Sequence, residues 1–446
     1  MNSAQGGSER PETSGRGNRI SRTALHLVGA TFLSALAGCS SSQGGPPPPP
    51  VGSAQLEEVP GQSPANVVEI QAVSAGPFNP SYWQSNTLNW VPDVRDPLFA
   101  SQPGPNQNIY SPWALEQANG WRMFYGGWDG SDTPNDRVYS VTTPDFISFG
   151  NRILVIDHGA FQHVNNMNVH QLPDGSFHMI CGVFPDALGL DKIAYFSSSD
   201  GITWNGATEP YSAQLSDMIS IPNDPVYETT DYNGGNVLLR DNGIWDLFYS
   251  SGIFAANGVS RATTINPPTF EFVQTALSSS RYANDVRLFQ SGGQNWYLMA
   301  LYVEEITHIP PPTLTYSLSS DGIHFGPEQP LFGGAYAEDQ YLTTPAFVTN
   351  GNQILGVLYG GNATDLLNPA DQIFARWLQK RVILTDSSGV QHFAQGGYGP
   401  DRQWFLLPVG SSIEGDLIVY SEDGMTQIGS GKVTVNAGKP YRLVLN

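Results

Sequence analysis

The sequence predicts an all-β fold, and three observations carry that expectation. Glycine and proline number 48 and 34 of 446 residues, while aromatic residues make up 11% and charged residues only 13%. Such a composition suits many short strands and turns better than helices. The phrase "SSSDGITWN" (197–205) returns as "LSSDGIHFG" (318–326). An Asp-Gly pair between extended segments is the strongest short hairpin signal, because both central residues of the favoured turn take positive φ. Working back from these two hairpins exposes five similar units, recurring roughly every fifty to seventy residues, the spacing of four-stranded propeller blades. The expected architecture is a five-bladed β-propeller with a small C-terminal β module.

The elements follow in chain order. Arg10, Arg16, Arg19 and Arg22 precede the apolar run "TALHLVGATFLSALAG", which ends at Cys39. The run is short for a membrane span and reads as a signal peptide, residues 1–39. "LAGC" (36–39) resembles the bacterial lipobox, which implies lipidation of Cys39; Ser40 behind it implies an outer-membrane or cell-surface address. Residues 40–64 are rich in Ser, Gly and Pro, with five consecutive prolines, and read as an extended tether. The propeller is expected over 65–385. Its second strands read "GWRMFYGGW", "GSFHMICGVF", "GIWDLFYSSG", "QNWYLMALYV" and "NQILGVLYGG", and "QIFARWLQKRVIL" supplies the third and fourth strands of the last blade. From 386 to 446 a new alternation with Asp-Gly and Gly turns marks the C-terminal module.

The formal charge of −20 argues against nucleic acid or an anionic membrane surface as partner. Contact with a membrane is expected only through the lipid anchor, and the chain is expected to be a monomer. With Cys39 lipidated, Cys181 is left to act as a small buried hydrophobe. Neither a phosphate-binding loop nor a dinucleotide fingerprint occurs, and no metal-ligand spacing is apparent.

A Gly turn followed by a "W-Y-x-F-Y"-like strand and a later "S-x-D-G-x-x-W" resembles the five-bladed propeller glycosidases, glycoside hydrolase family 43 and its relatives. The resemblance spans roughly Asn79 to Thr385. It implies a base Asp in blade 1, a tuning Asp in blade 2 and an acid Glu in blade 3. Carried over residue by residue, these fall on Ser111, on Asn166, and on Asn233 or Gly234. None has a carboxyl, and neither a hydroxyl nor an amide exchanges protons at neutral pH as a carboxyl does.

In a propeller the inner strands start at one mouth of the central channel, and the loops after the second strands lie on the same rim. Residues two beyond these positions and their equivalents in blades 4 and 5 share their face, which sets Trp113, Asn168, Asn236, Asp285 and Ala346 deeper in the channel, with Asn168, Asn236 and Asp285 as a polar ring on the axis. Such a polar ring suits backbone capping or a hard cation such as Ca²⁺. Rim carboxylates include Asp129, with Asp132 and Asp136 behind it, then Glu228, Asp231, Glu304, Glu305, Glu338 and Asp339. The candidate catalytic residues are Asp129, Asp231 and Asp285, each beside an inferred strand end at the mouth. Trp113, Trp128 and Tyr232 are candidate sugar platforms there, with Ser111, Asn166, Asn168, Asn233 and Asn236 as polar contacts. His158 and His163 flank the link between blades 1 and 2, and one could orient a hydroxyl. Trp121, Trp245 and Trp296 lie within second strands and read as blade core.

Together these features lead to an expected surface-anchored, glycosidase-like propeller acting on a neutral arabinan- or xylan-type glycan. The alternative is a non-catalytic glycan-binding or scaffold lipoprotein. An opposed carboxylate pair in the funnel distinguishes the enzyme, and a funnel of Asn, Ser and Trp alone distinguishes the binder.

Overall fold

The structure is a computed structural model. It describes residues 52–58, 67–71 and 76–445, apart from 130, 132–134, 208–209, 225, 233–234, 251–257, 304–312, 335–338, 363–370, 394–395, 422–424 and 438. Cys39, Asp132, Asn233, Glu304, Glu305 and Glu338 lie outside the described residues, as does the side chain of Asn236.

Five sheets, antiparallel apart from the short strand Tyr211–Ser212 at the edge of the first, succeed one another along the chain. Their inner strands are Asn108–Gln117, His163–Gln171, Asn236–Asp241, Tyr282–Ser291 and Tyr341–Asn350. Each packs beside the next, and the fifth returns to the first, so the sheets form a closed ring of blades. The blade interfaces are apolar. One cluster joins Phe124, Val164, Met179 and Trp204 across blades 1 and 2, and another joins Leu298, Tyr316, Phe347 and Tyr359 across blades 4 and 5. Cys181 is fully buried in the first of these. Among the described residues no helix is long and apolar enough to cross a membrane.

Ring closure departs from the sequence expectation. The outer strand of blade 5 is Trp90–Pro92, from before blade 1, paired antiparallel with Gln372–Leu378. Val382–Asp386, expected to complete that blade, joins the C-terminal sheet instead. Pairing a strand from the start of the ring with its last blade turns two separate chain ends into one hydrogen-bonded ladder. The C-terminal sheet itself has nine strands. Among them Gly52–Glu58 pairs with Pro440–Leu445, and Val67–Gln71 with Arg402–Leu406. Part of the expected tether at 40–64 is therefore a strand. Asp93 binds sheet and ring together, accepting from Trp377 Nε1 at 2.8 Å and Gly399 N at 3.0 Å.

The repeated Asp-Gly phrases are twin outer turns of blades 2 and 4. Asp200 Oδ1 accepts from Ile202 N and Thr203 N, and Asp321 Oδ1 accepts from Ile323 N and His324 N. Within each Asp-Gly pair only the glycine takes positive φ, Gly201 at 71° and Gly322 at 69°. These are side-chain-capped Asp turns rather than the two-residue hairpin turn expected.

The channel axis is filled. Asp285 is fully buried and ion-paired to Arg287, whose Nε lies 2.9 Å from Oδ1 and 3.0 Å from Oδ2. Phe347 N donates to Asp285 Oδ2 at 2.7 Å, while Arg287 Nη2 donates to Ala114 O and Phe347 O. The guanidinium lies 4.0 Å from the Trp113 ring centroid. A protein cation thus takes the Asp285 carboxylate that the sequence reading offered to Ca²⁺, and among the described residues no cluster of His, Cys, Asp and Glu is arranged to hold a metal. Replacing Asp285 by Ala leaves a largely covered guanidinium without its carboxylate. We expect a loss of about 3–5 kcal/mol of stability, read from urea unfolding; a loss below about 1 kcal/mol would show the pair to be dispensable.

Candidate functional site

At the mouth four of the five inner strands are kinked. Pairing registers shift between Tyr110 and Trp113, Asn165 and Asn168, Ala283 and Asp285, and Thr343 and Ala346. Three bulge residues sit in the left-handed region, Ser111 at φ 48°, Asn166 at 49° and Thr344 at 46°. For a β-branched residue such as Thr344 that conformation is an outlier. The three are linked, because Ser111 Oγ donates to Asn166 Oδ1 and Ser111 N donates to Thr344 Oγ1 at 3.1 Å. Bulges of this kind re-aim side chains at sheet ends.

Above them opens a cavity of about 270 Å³. Trp128, Tyr110 and Tyr302 give it aromatic walls, and Asn165, Asn166, Thr343 and Thr344 supply uncharged polar groups. His163 contributes an imidazole, and Asp191 and Asp371 contribute carboxyls. The Trp128 indole is anchored by its N–H to Ser131 O at 2.9 Å and stands edge-on to His163.

The carboxyls share one structural position. Asp136, Asp191 and Asp371 each immediately precede the third strand of a blade, in "DRV", "DKI" and "DQI" of blades 1, 2 and 5. The turn between second and third strands lies at the mouth, so three adjacent blades each deliver an aspartate there. Asp191 and Asp371 reach the cavity from the two blades flanking blade 1. Asp371 is held by Asn362, and its own N–H donates to Asn108 Oδ1 at 3.2 Å. Burial pushes its carboxyl up to about 6, against the lowering effect of the Asn362 hydrogen bond. Asp136 is fully buried behind the wall, where Oδ2 accepts from Tyr110 Oη and from Asn165 Nδ2 at 3.1 Å, and lies 3.2 Å from His163 Nδ1. Burial raises it too, and the hydrogen bond with His163 is the largest opposing influence. It fixes three cavity residues at once.

The structure distributes the sequence candidates unevenly. Ser111 and Asn166 meet at the mouth, and Asn166 and Trp128 line the cavity. Asp129 stands beside the cavity rather than in its wall, and hydrogen bonds from Ser131 hold its carboxyl below the ordinary range. Asp231 acts one residue removed: its Oδ1 accepts from Asp191 N at 3.0 Å and so positions the backbone of a cavity aspartate. Asp285 belongs to the axial ion pair. Trp113 is buried with its indole N–H bonded to Val169 O at 2.8 Å, and Tyr232 is buried among Tyr227 and Tyr249, so neither is a rim platform. Packing between blades claims both rings. Asn168 is also buried, its Oδ1 accepting from Leu238 N at 3.0 Å in the next blade. The sequence reading missed Tyr110, Asn165, Asp191, Tyr302, Thr343, Thr344 and Asp371. The recurring Asp before a basic or amide residue and Ile or Val was a signal able to find two of them.

No protein-family model and no curated protein matches the sequence. Among solved structures the chain is similar to the catalytic domain of a family 62 α-L-arabinofuranosidase from Coprinopsis cinerea, at 15% identity and TM-score 0.47 over 65% of this chain and 96% of that one. It is likewise similar to a family 62 hydrolase in complex with xylotriose, at 14% identity and TM-score 0.47 over 67% and 100%. A glycosyl hydrolase from Bacteroides ovatus is similar at 10% identity and TM-score 0.46 over 65% and 93%.

The raised carboxyl of Asp371 makes a signed prediction. A carboxyl whose folded pKa lies above its unfolded value of about 3.9 binds more protons in the folded state. Its contribution is complete below that unfolded value and is lost as pH rises through about 6. Asp371→Asn removes the loss, so the variant should melt higher than the wild type at pH 7 and by a smaller margin at pH 4. An equal margin at both values would contradict the shift.

Proposed function

We propose that the protein is a glycosidase-type hydrolase of a neutral glycan of the arabinan or xylan type, with its acid and base on Asp371 and Asp191. The observation that carries this reading is a pair of carboxyls entering one aromatic-walled cavity from two blades, one of them raised to about 6. Apolar faces of a sugar ring stack on Trp128, while the Asn and Thr side chains bond its hydroxyls. Asp371, protonated below about pH 6, gives its proton to the glycosidic oxygen as the bond from that oxygen to the anomeric carbon breaks. Asp191 takes a proton from the water that attacks the same carbon, so one water is consumed and two sugar hydroxyl ends result. His163, held against Asp136, orients a hydroxyl beside Trp128.

One observation favours the non-catalytic alternative. Ser111 and Asn166 stand where the resemblance puts carboxyls, and they bond each other. Release of sugar from arabinan and xylan panels distinguishes the readings. Asp371→Asn and Asp191→Asn should each lower the rate by about 10²–10⁴ with binding retained, and wild-type kcat should fall above pH 6 as the acid loses its proton. Binding by the wild type without release would make the propeller a receptor.

The same reading places the protein outside the cytoplasm on a lipid attached to Cys39. Radiolabelled palmitate should enter the chain in a Gram-negative host and fail to enter Cys39→Ser; equal labelling of both would remove the anchor from the account.

A further inference from the structure

A second cavity, of about 400 Å³, lies on the flank of blade 4 beneath the short helix Pro80–Ser85. Its origin is visible in the blade repeat. The aromatic rung Trp121, Phe177, Trp245 and Tyr297 pairs with Thr143, Ser198, Thr264 and Ser319 at one position of blades 1 to 4, and all four rings are buried. The residue before the rung faces the other way. It is Gly120, Ser176 and Ile244 in blades 1 to 3 but Trp296 in blade 4. The blade fold does not require an aromatic there. Trp296 was expected to be core; it is only partly covered, and its ring lines the open cavity beside Trp83 and Tyr316.

The chemistry of the lining is specific. The indole N–H of Trp296 and the side chains of Gln84, Ser320 and Gln329 make no hydrogen bond with any described residue, and all four residues retain exposure. His324, the one titratable side chain on the polar side of the cavity, is matched to Asp321 at 3.0 Å. An accessible indole with unengaged, uncharged donors and acceptors around it complements a polyol with apolar C–H faces. An anion would find no free cation here, and an apolar peptide would leave the amides and hydroxyl unpaired.

We propose that this flank is a second binding site for a neutral oligosaccharide, with Trp296 as stacking platform and Gln84, Ser320 and Gln329 as hydroxyl contacts. It goes beyond the reading of the mouth and does not depend on hydrolysis there. Placed outside the funnel, it holds a polymer chain against the protein.

The test uses the full chain in affinity electrophoresis through gels containing soluble xylan or arabinan. Trp296→Ala should weaken the retardation by about fivefold or more while leaving hydrolysis of a short substrate unchanged. Ser320→Trp, at an exposed turn residue, fills the cavity without opening the core and should weaken retardation equally. Unchanged retardation in both variants, or none of the wild type by either polymer, would overturn the proposal. Asp371→Asn separates the two readings, because retained catalysis in that variant counts against the mouth and says nothing against the flank, whereas lost retardation there counts against the flank.

Discussion

The ring depends on a single buried constellation on its axis. Asp285 and Arg287 come from blade 4, and the carboxylate accepts from Phe347 N of blade 5. The guanidinium donates to carbonyls of Ala114 in blade 1 and Phe347 in blade 5, and it covers the face of Trp113. Trp113 donates to Val169 O in blade 2, and Asn168 there accepts from Leu238 N in blade 3. All five blades are thereby joined through groups that are buried or, for Arg287, largely covered. A buried pair is costly to form and more costly to break, so its value lies in fixing which strand faces which. A propeller whose blades share only apolar faces could slip in register; charge-assisted bonds to specific carbonyls prevent that.

A filled axis confines the chemistry to the mouth. The inner strands leave their regular ladders at the bulges of Ser111, Asn166 and Thr344, and all three adopt a backbone that L residues avoid. Each such residue costs on the order of 1–3 kcal/mol. The hydrogen bonds from Ser111 to Asn166 and to Thr344 tie the strained positions of blades 5, 1 and 2 together. Those same three blades supply Asp371, Asp136 and Asp191. Strain, desolvated acids and aromatic walls are thus gathered in one sector of the rim, the distribution expected of a binding or catalytic surface on a rigid scaffold.

Much of the fold was legible because it repeats. Five aromatic second strands and two Asp-Gly turns gave the blades, since each blade must bury the same face in the same way. Closure was not legible: the latch is the three-residue strand Trp90–Pro92, and its partner lies more than two hundred residues away in sequence. No local pattern announces so short a strand. The site was legible in its location but less so in its residues. Trp128, Ser111 and Asn166 follow from counting along strands, whereas Asp231 and Tyr232 fall one shell behind the surface because a loop, not a strand, sets their direction. Asp191 and Asp371 stand at the starts of third strands, which reach the same mouth but lie outside the ends of second strands and the starts of first strands.

The third-strand position suits a carboxyl at the mouth. A residue there is anchored on one side by the antiparallel ladder, Arg137 opposite Gly127, Lys192 opposite Val183 and Gln372 opposite Gly361. Its backbone is therefore as well fixed as that of an inner strand. Its side chain, at the last residue before pairing begins, can turn toward the channel without breaking a ladder bond. The inner-strand bulge offers proximity to the axis at the cost of strain, and here it carries only Ser, Asn and Thr. The third-strand start offers burial without strain, and burial is what lifts Asp371 toward neutrality. A carboxyl placed there gains the protonation state a proton donor needs from the scaffold itself, with no second acid required to tune it.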